Sequence, residues 1–394
     1  MLTERLEFAP ERDAEIFSAV PSAPAVFSLR GEDTRAEPYV GKTADLRRRL
    51  QRLLGPVGER TKKLNLRHRI RSIEYAPTGS DFESGFVLYQ VLRSRFPKTY
   101  SNRLRFRFAP LVKMHLENEY PRASITTRLG RLNGRTIYYG PFVSRTAAEK
   151  FMNDSLDFFK MRRCVEDLHP DPAFPGCIYS EMKMCLAPCF KGCSDEEYSG
   201  EVARVQAYFD TQGDSLAREF STQREAASAN LAFEEAAAIH IRLEKLKPIL
   251  SPLAEIVRRL DRLSGLIVQP CHKADSVIFF RLNRGIICGP TTFCIQTAEH
   301  TKSQSMESRV QQALESFASV PAHSALETME HLALLKRWYY RSHRVGEIFL
   351  ADDKSAFPMR RIVRGIGRIL RGEGPEPVLA MRNQSRIGTS EISD

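Results

Sequence analysis

Residues 164–193 read CVEDLHPDPAFPGCIYSEMKMCLAPCFKGC, so five of the eight cysteines of the chain fall in thirty residues. The spacing is Cys164-x12-Cys177-x7-Cys185-x3-Cys189-x3-Cys193. Between the first two cysteines lie Asp167, Pro170, Asp171, Pro172, Pro175 and Gly176, which are loop formers with little apolar surface to fold around. Thiolates closing on a metal centre would tie such a loop down, because metal binding then becomes folding energy. Strand-like, basic segments precede this knot and helical segments follow it, so it reads as the joint of the molecule.

A chain of 394 residues is long enough for two to four domains. Its net charge of +11 favours an anionic partner, nucleic acid or a membrane surface, over a merely basic soluble protein. The start, MLTERLEFAP, has no signal-peptide pattern, and no apolar run reaches transmembrane length. A cytoplasmic protein with no membrane partner is expected. In that reducing compartment clustered cysteines are metal ligands or redox groups before they are disulfides. Cys271, Cys288 and Cys294, outside the cluster, are expected to be buried small hydrophobes.

Upstream of the knot, residues 24–30 (PAVFSLR) and 38–42 (PYVGK) read as two strands around a turn at Gly31-Glu32-Asp33. A helix follows over 43–54, capped by Thr43 or Asp45, with Leu46, Leu50 and Leu53 on one face. Arg47, Arg48, Arg49 and Arg52 cover the rest, either as a solvated face or as phosphate contacts. A third strand is read over 70–76 and a helix from Phe86, entered through Gly79-Ser80-Asp81. From Ser84 to His115 there is no acidic residue. Arg93, Arg95, Lys98, Arg103, Arg105, Arg107 and Lys113 fall in that run, interleaved with Phe96, Tyr100, Phe106 and Phe108, a mixture that suits a nucleic-acid backbone.

Downstream, helices are expected through Phe209, over 216–230 and over 232–248. Residues 264–294 alternate like a small sheet, and helices are expected near 306–317, 325–340 and 362–370. The last carries Arg360, Arg361, Arg364, Arg368 and Arg371 in or beside it.

These segments resemble, in order, the UvrC family and its shorter relative Cho. AVF, a turn and YVGKTADLRRRL resemble the GIY-YIG nuclease motif. Residues 96–104 resemble the turn ending the family's next helix, and YYGPFVS at 138–144 a later family segment. Arg162-Arg163-Cys164, Pro175-Gly176-Cys177 and Cys185-Leu186-Ala187-Pro188-Cys189 resemble the family's cysteine segment. Residues 224–242 resemble the UVR motif, a helical hairpin that in the family binds UvrB. The resemblance covers roughly residues 24–250.

The resemblance implies a DNA-repair protein of the nucleotide excision pathway, with DNA and UvrB as partners. It implies a phosphodiester-cleaving site in which Tyr39, Lys42 and Arg49 match family positions. Phe27 stands at the first tyrosine, and Leu88 or Tyr89, depending on register, at the metal-holding glutamate. Ser101 or Asn102 stands at the asparagine. A degenerate site is therefore expected. The alternative is an active endonuclease making one Mg²⁺- or Mn²⁺-dependent cut with a displaced carboxylate, Glu83 or Asp81. DNA contacts are expected from Arg47, Arg48, Arg52, Lys98, Arg103 and Arg105. Cys164, Cys177, Cys185 and Cys189 match the family's [4Fe-4S] ligands, whereas spacing alone fits zinc equally. Cys193 is extra. Phe233, Glu234, Ala237 and Arg242 are expected at the partner face of the UVR hairpin, with Leu243 and Leu246 supplying apolar contact. The RNase H-like and helix-hairpin-helix regions of full UvrC are not expected in this chain.

The expected architecture is multidomain α+β. It comprises a GIY-YIG α/β domain (1–108), a connecting region (109–160), the cysteine segment (161–195), helices with the UVR motif (196–250, motif 222–250), a small α/β region (251–372) and a disordered tail (373–394).

Overall fold

The computed structural model describes residues 2–33, 35–56, 64–130, 135–166, 168–295, 304–317 and 323–375. Asp167 in the cysteine loop, and the expected tail beyond residue 375, lie outside the described residues. The chain is a mixed α/β protein, with three four-stranded antiparallel sheets among the described residues.

The N-terminal unit runs β1 (Glu4–Glu7), α1 (Asp13–Ala19), β2 (Ala25–Arg30), β3 (Tyr39–Thr43), α2 (Leu46–Leu54), β4 (Ser72–Pro77), α3 (Asp81–Arg95) and α4 (Tyr100–Leu104). Its sheet order is β1-β4-β2-β3, which leaves β3 at an edge. Asp45 caps α2 by accepting from the Arg48 N–H at 2.9 Å. Leu46, Leu50, Leu53 and Leu54 then bury against Phe27 and Leu29 of β2. On the opposite face of the sheet, Val87 and Val91 of α3 pack on Val26. Central β2 is therefore covered on both sides, which explains its unbroken burial from Ala25 to Leu29, Ser28 included.

The middle unit runs β5 (Leu111–His115), β6 (Ala123–Thr126), β7 (Thr136–Gly140), α5 (Arg145–Leu156), α6 (Ile178–Glu181), α7 (Asp195–Asp210), α8 (Asp214–Ala229), α9 (Phe233–Leu250) and β8 (Arg258–Arg259). Ser194 and Glu197 form a capping box at the start of α7. Segments that the sequence separates, 109–160 and 196–250, share one core: Phe151 and Phe159 pack with Tyr208, Phe209 and Leu246.

The C-terminal unit runs β9 (Gly265–Pro270), β10 (Ser276–Asn283), β11 (Ile286–Cys294), α10 (Met306–Glu315), α11 (Ala325–Tyr339), β12 (Glu347–Leu350) and α12 (Met359–Leu370). Its sheet order is β11-β10-β9-β12. Ile362 and Ile366 of α12 cover one face. The other face meets α11 and, from the N-terminal unit, α3.

Helix α3 is thus held between two sheets. Phe82 lies 5.0 Å, ring to ring, from both Phe280 and Trp338, and Phe86 lies 5.5 Å from Phe280. Polar ties complete the joint. Tyr89 and Tyr100 donate hydroxyls to buried Glu330 at 2.9 and 2.8 Å, and Arg93 pairs with Glu327. Residues 251–372 therefore help to build the wall behind the N-terminal unit. Cys271 and Cys288 are half-buried and Cys294 is exposed, which corrects the expectation that all three are buried. They sit at or near strand ends, where a neighbouring layer covers only one side.

Candidate functional site

The family-matched residues gather around edge strand β3. Pairing of β2 with β3 sets Phe27 opposite Gly41. The buried Phe27 ring lies 6.0 Å from the Tyr39 ring. The Tyr39 hydroxyl accepts a hydrogen bond from Arg49 Nη2 at 2.7 Å, while Arg49 Nε is buried without a partner among the described residues. Strand alternation turns the next residues the other way. Val40 joins the cluster facing α3, and Lys42 Nζ donates to Asp81 Oδ1 at 2.5 Å. The structure therefore unites Tyr39 with Arg49 and places Lys42 on the other side of the strand.

The same geometry separates Leu88 from Tyr89. Leu88 packs with Val26 and Val40, toward β3. Tyr89 turns to the C-terminal sheet, where burial and then Glu330 raise its pKa. Leu88 thus takes the position facing the strand, and it brings no oxygen. Of the two displaced carboxylates, Glu83 is 5% exposed and accepts from the Gly79 N–H at 2.7 Å. Burial pushes its pKa up to about 7 against that hydrogen bond. It is turned away from Lys42. Asp81 does stand beside Lys42, and also accepts from Arg341 Nη1 at 2.6 Å. Burial works to raise its pKa, but Lys42, Arg341 and Arg337 outweigh it and hold the carboxyl below its usual value.

Two of the expected DNA contacts have partners within the chain. Arg47 donates to the Val20 and Ser18 carbonyls at 2.9 and 3.2 Å. Arg103 pairs with Glu37 at 2.6 Å and lies 3.9 Å over the Phe96 ring. Arg48, Arg52, Lys98 and Arg105 are exposed, as are Ser101 and Asn102. The acid-free run is less bare than it reads. Arg93, Arg95 and Lys113 pair with Glu327, Glu74 and Glu117, whose sequence positions lie outside it.

A cleft of about 640 Å³ opens between α3 and α11. Lys42, Arg105, Arg107, Lys336, Arg337 and Arg341 line it, with Asp81 the sole carboxylate among its lining residues. Sequence reasoning assigned no role to the three cations of α11 and its end. Their signal is the string KRWYYR at 336–341, which is ambiguous with any solvated helix end.

Cys164, Cys177, Cys185 and Cys189 surround one small cavity, with Arg162 and Tyr179 also in its wall. Among the described residues no three His, Cys, Asp or Glu side chains converge as a single-ion site. The thiols thus share a cavity without closing on one point. Burial pushes Cys185 up to about 11, with the other three thiols adding to it against a backbone N–H. Arg162 is 2% exposed and has no carboxylate partner among the described residues. It donates to Cys164 Sγ at 3.3 Å and to the carbonyls of Tyr120 and Glu166. The Ala187 N–H points at Cys185 Sγ at 3.3 Å. Lys183, Ala187 and Lys191 all adopt left-handed backbone, at φ 55°, 59° and 56°. Three strained non-glycine residues so close together persist only where the surroundings over-determine them. Buried N–H donors, a buried cation and four thiols fit a thiolate-held metal group. Cys193 is not part of the wall and packs against the middle core.

At the α8–α9 hairpin, Leu231, Phe233 and Ile241 are 72%, 65% and 56% exposed. Glu234, Ala237 and Arg242 are also exposed, with Arg242 lying 4.5 Å over the Phe220 ring. Leu246 faces inward at 1% exposure, and Leu243 packs on the same core, so neither is at an outward face. No helix among the described residues is long and apolar enough to cross a membrane.

Residues 110–208 match the family model of the UvrC/Cho excinuclease middle domain. UvrABC system protein C of Rickettsia bellii is 25% identical over 272 residues, which cover 68% of this chain and 41% of that protein. Its counterpart in Methanothermobacter thermautotrophicus is 28% identical over 279 residues, covering 70% and 46%. The chain therefore spans less than half the length of these curated relatives. No solved structure matches it significantly. Through its matched middle domain and the relatives aligned over some 70% of its length, the chain is a UvrC-like protein.

Proposed function

We propose that the chain is a nucleotide excision repair protein that binds DNA through a GIY-YIG-like site without the metal-dependent cleavage chemistry. The observation that carries this reading is Leu88 at the family's glutamate position: it packs with Val26 and Val40 on the α3 face of β3, across the strand from the Tyr39–Arg49 pair, and offers a divalent cation no oxygen. What remains is phosphate-binding chemistry: Arg49, with an unpaired buried Nε, and the Tyr39 hydroxyl beside it.

One observation favours a second reading. Asp81 brings a carboxylate to Lys42, so an incision centred on Asp81 is the alternative. A plasmid nicking assay with Mg²⁺ or Mn²⁺ separates the two. No nicking above background, with retained DNA binding weakened by Arg49→Ala, supports the first. Robust cleavage abolished by Arg49→Ala and Asp81→Asn overturns it.

Cys164, Cys177, Cys185 and Cys189 would hold a [4Fe-4S] cluster rather than zinc. What supports this reading is the family resemblance of the four positions together with the cavity they share; their spacing alone fits zinc equally. When bound, such a group supplies a staple for the proline-rich loop, and Arg162 offsets its negative charge. Anaerobic purification with iron, sulfide and zinc analysis decides the metal. The exposed tip of the α8–α9 hairpin, led by Phe233, is the surface we assign to UvrB.

A further inference from the structure

Three cations from the C-terminal unit reach the cleft beside α3. Lys336 and Arg337 lie on α11, and Arg341 follows its end. Lys42, Arg105 and Arg107 face them from the N-terminal side. Of these six, only Lys42 and Arg341 have a carboxylate, and they share the same one, Asp81. Arg105, Arg107 and Arg337 form no ion pair among the described residues. Burial and the Arg107 charge lower the Lys336 pKa, as expected of cations crowded without an anion.

Two further features mark the crowding as built. Arg105 holds left-handed backbone at φ 48° and ψ 56°, where a residue with a Cβ costs about 1–2 kcal/mol. That conformation ends α4 and delivers Arg105 and Arg107 to the cleft. The walls are also fixed. Glu330, 1% exposed, receives hydroxyls from Tyr89 on α3 and Tyr100 on α4, so α11 docks rigidly against both.

We propose that this cleft is a binding site for the backbone of a single nucleic-acid strand, gripped from both sides and completed by α11. The inference rests on the DNA-binding reading above and extends it to residues outside the GIY-YIG-like motif. Charge selects a polyanion, and size selects one strand. A volume of about 640 Å³ falls among sites that take a small ligand, about 300–1,000 Å³, a size that suits a short stretch of one strand better than a whole duplex. Half-buried Phe106 and Tyr340 in the wall provide the aromatic surface on which unpaired bases stack.

The test is fluorescence anisotropy of a labelled single-stranded oligonucleotide titrated with the full chain across a salt series. The Arg337→Ser/Arg341→Ser double variant is compared with Arg360→Ser/Arg364→Ser, an equal charge change on exposed positions of α12. Two lost phosphate contacts reduce the single-strand salt slope by about 1.4 and weaken binding about 25-fold near 0.1 M salt. The α12 control should change binding less than about twofold, within the non-specific contribution of net charge. Trp338 emission reports whether the α3–α11 contact survives. Should it be lost, Arg105→Ser/Arg107→Ser probes the other wall and is expected to give the same loss. Wild-type binding that weakens with Arg49→Ala but with neither cleft double variant overturns the cleft while leaving the DNA-binding reading intact. Absence of any wild-type DNA binding overturns both.

Discussion

Glu83→Gln should change the pH dependence of folding in a defined direction. Glu83 begins α3, is 5% exposed, and accepts one hydrogen bond, from the Gly79 N–H. Burial raises its pKa from 4.5 to about 7. Below pH 4.5 the group is protonated in both folded and unfolded chains, and its native contribution is complete. Between pH 4.5 and 7 the unfolded chain has released the proton and the native chain retains it, so rising pH favours unfolding. At about 1.4 kcal/mol per tenfold change in proton affinity, the loss amounts to about 3 kcal/mol, complete above pH 7. Glutamine keeps the acceptor for Gly79 but leaves a buried amide N–H₂ unpaired, a constant cost of about 1 kcal/mol. The variant should therefore be less stable than wild type by about 1 kcal/mol at pH 4.5 and more stable by about 2 kcal/mol at pH 8. Trp338 is the single tryptophan of the chain, 5.0 Å from the ring of Phe82, so its fluorescence during urea unfolding reports this joint directly. Profiles that run parallel from pH 4.5 to 8 would refute the reasoning. They would mean that Glu83 is ionised in the native protein, and so available to a cation.

Tyr89→Phe removes one of the two hydroxyls on buried Glu330 and should cost about 1.5–3 kcal/mol in the same fluorescence assay. A loss below about 0.5 kcal/mol would mean that the carboxylate finds another donor. Asp81→Asn removes the charge that pairs both Lys42 and Arg341, and should raise single-strand affinity by about fivefold at 0.1 M salt, the worth of one further phosphate contact, from Lys42. A fall in affinity would assign Asp81 to the ligand instead. Phe233→Ser, at an exposed hairpin position, should leave stability within about 0.5 kcal/mol of wild type while abolishing capture by UvrB in a pull-down. Undiminished capture would move the partner surface elsewhere.

Local chemistry made much of the architecture readable. The β2–β3 hairpin, the Asp45 cap of α2 and the three helices after the knot follow from periodicity and capping residues within a few positions. Helix α3 was harder to place because both its faces are buried. Val87 and Leu88 serve one sheet, Phe86 and Tyr89 the other, and no polar stripe survives to orient it. This is why sequence left the glutamate position undecided between Leu88 and Tyr89, which packing turns to different sheets. Charges were misread for a related reason. The acid-free run looked uncompensated, yet Arg93 reaches Glu327 across 234 residues and Arg95 reaches Glu74 across 21. The short strands β8 and β12, of two and four residues, carry too little pattern to be seen before their partners are known. Arg162, beside a cysteine in a basic string, gave no sign that it would be buried against a thiol.

The missing carboxylate and the added cations bear on one another. A divalent ion in a phosphodiesterase site needs anionic oxygens, and like charges within a few ångströms oppose its binding. Here Leu88 contributes no oxygen, Glu83 is turned inward, and Asp81 is already shared by Lys42 and Arg341. The remaining surroundings are cationic. The field that disfavours a metal in this cleft is the field that attracts a phosphate, so Leu88 and the cations of α11 act in the same direction. If a single Leu→Glu change in such a family could restore cleavage, the docked helix would be incidental. The electrostatics argue otherwise: a carboxylate placed at position 88 would first meet Lys42 and Arg341, as Asp81 does. On the proposed DNA-binding reading, the C-terminal unit would then be part of the site: it would supply guanidinium charge where a nuclease of this kind would need a metal, and its contacts hold α3 beside those charges.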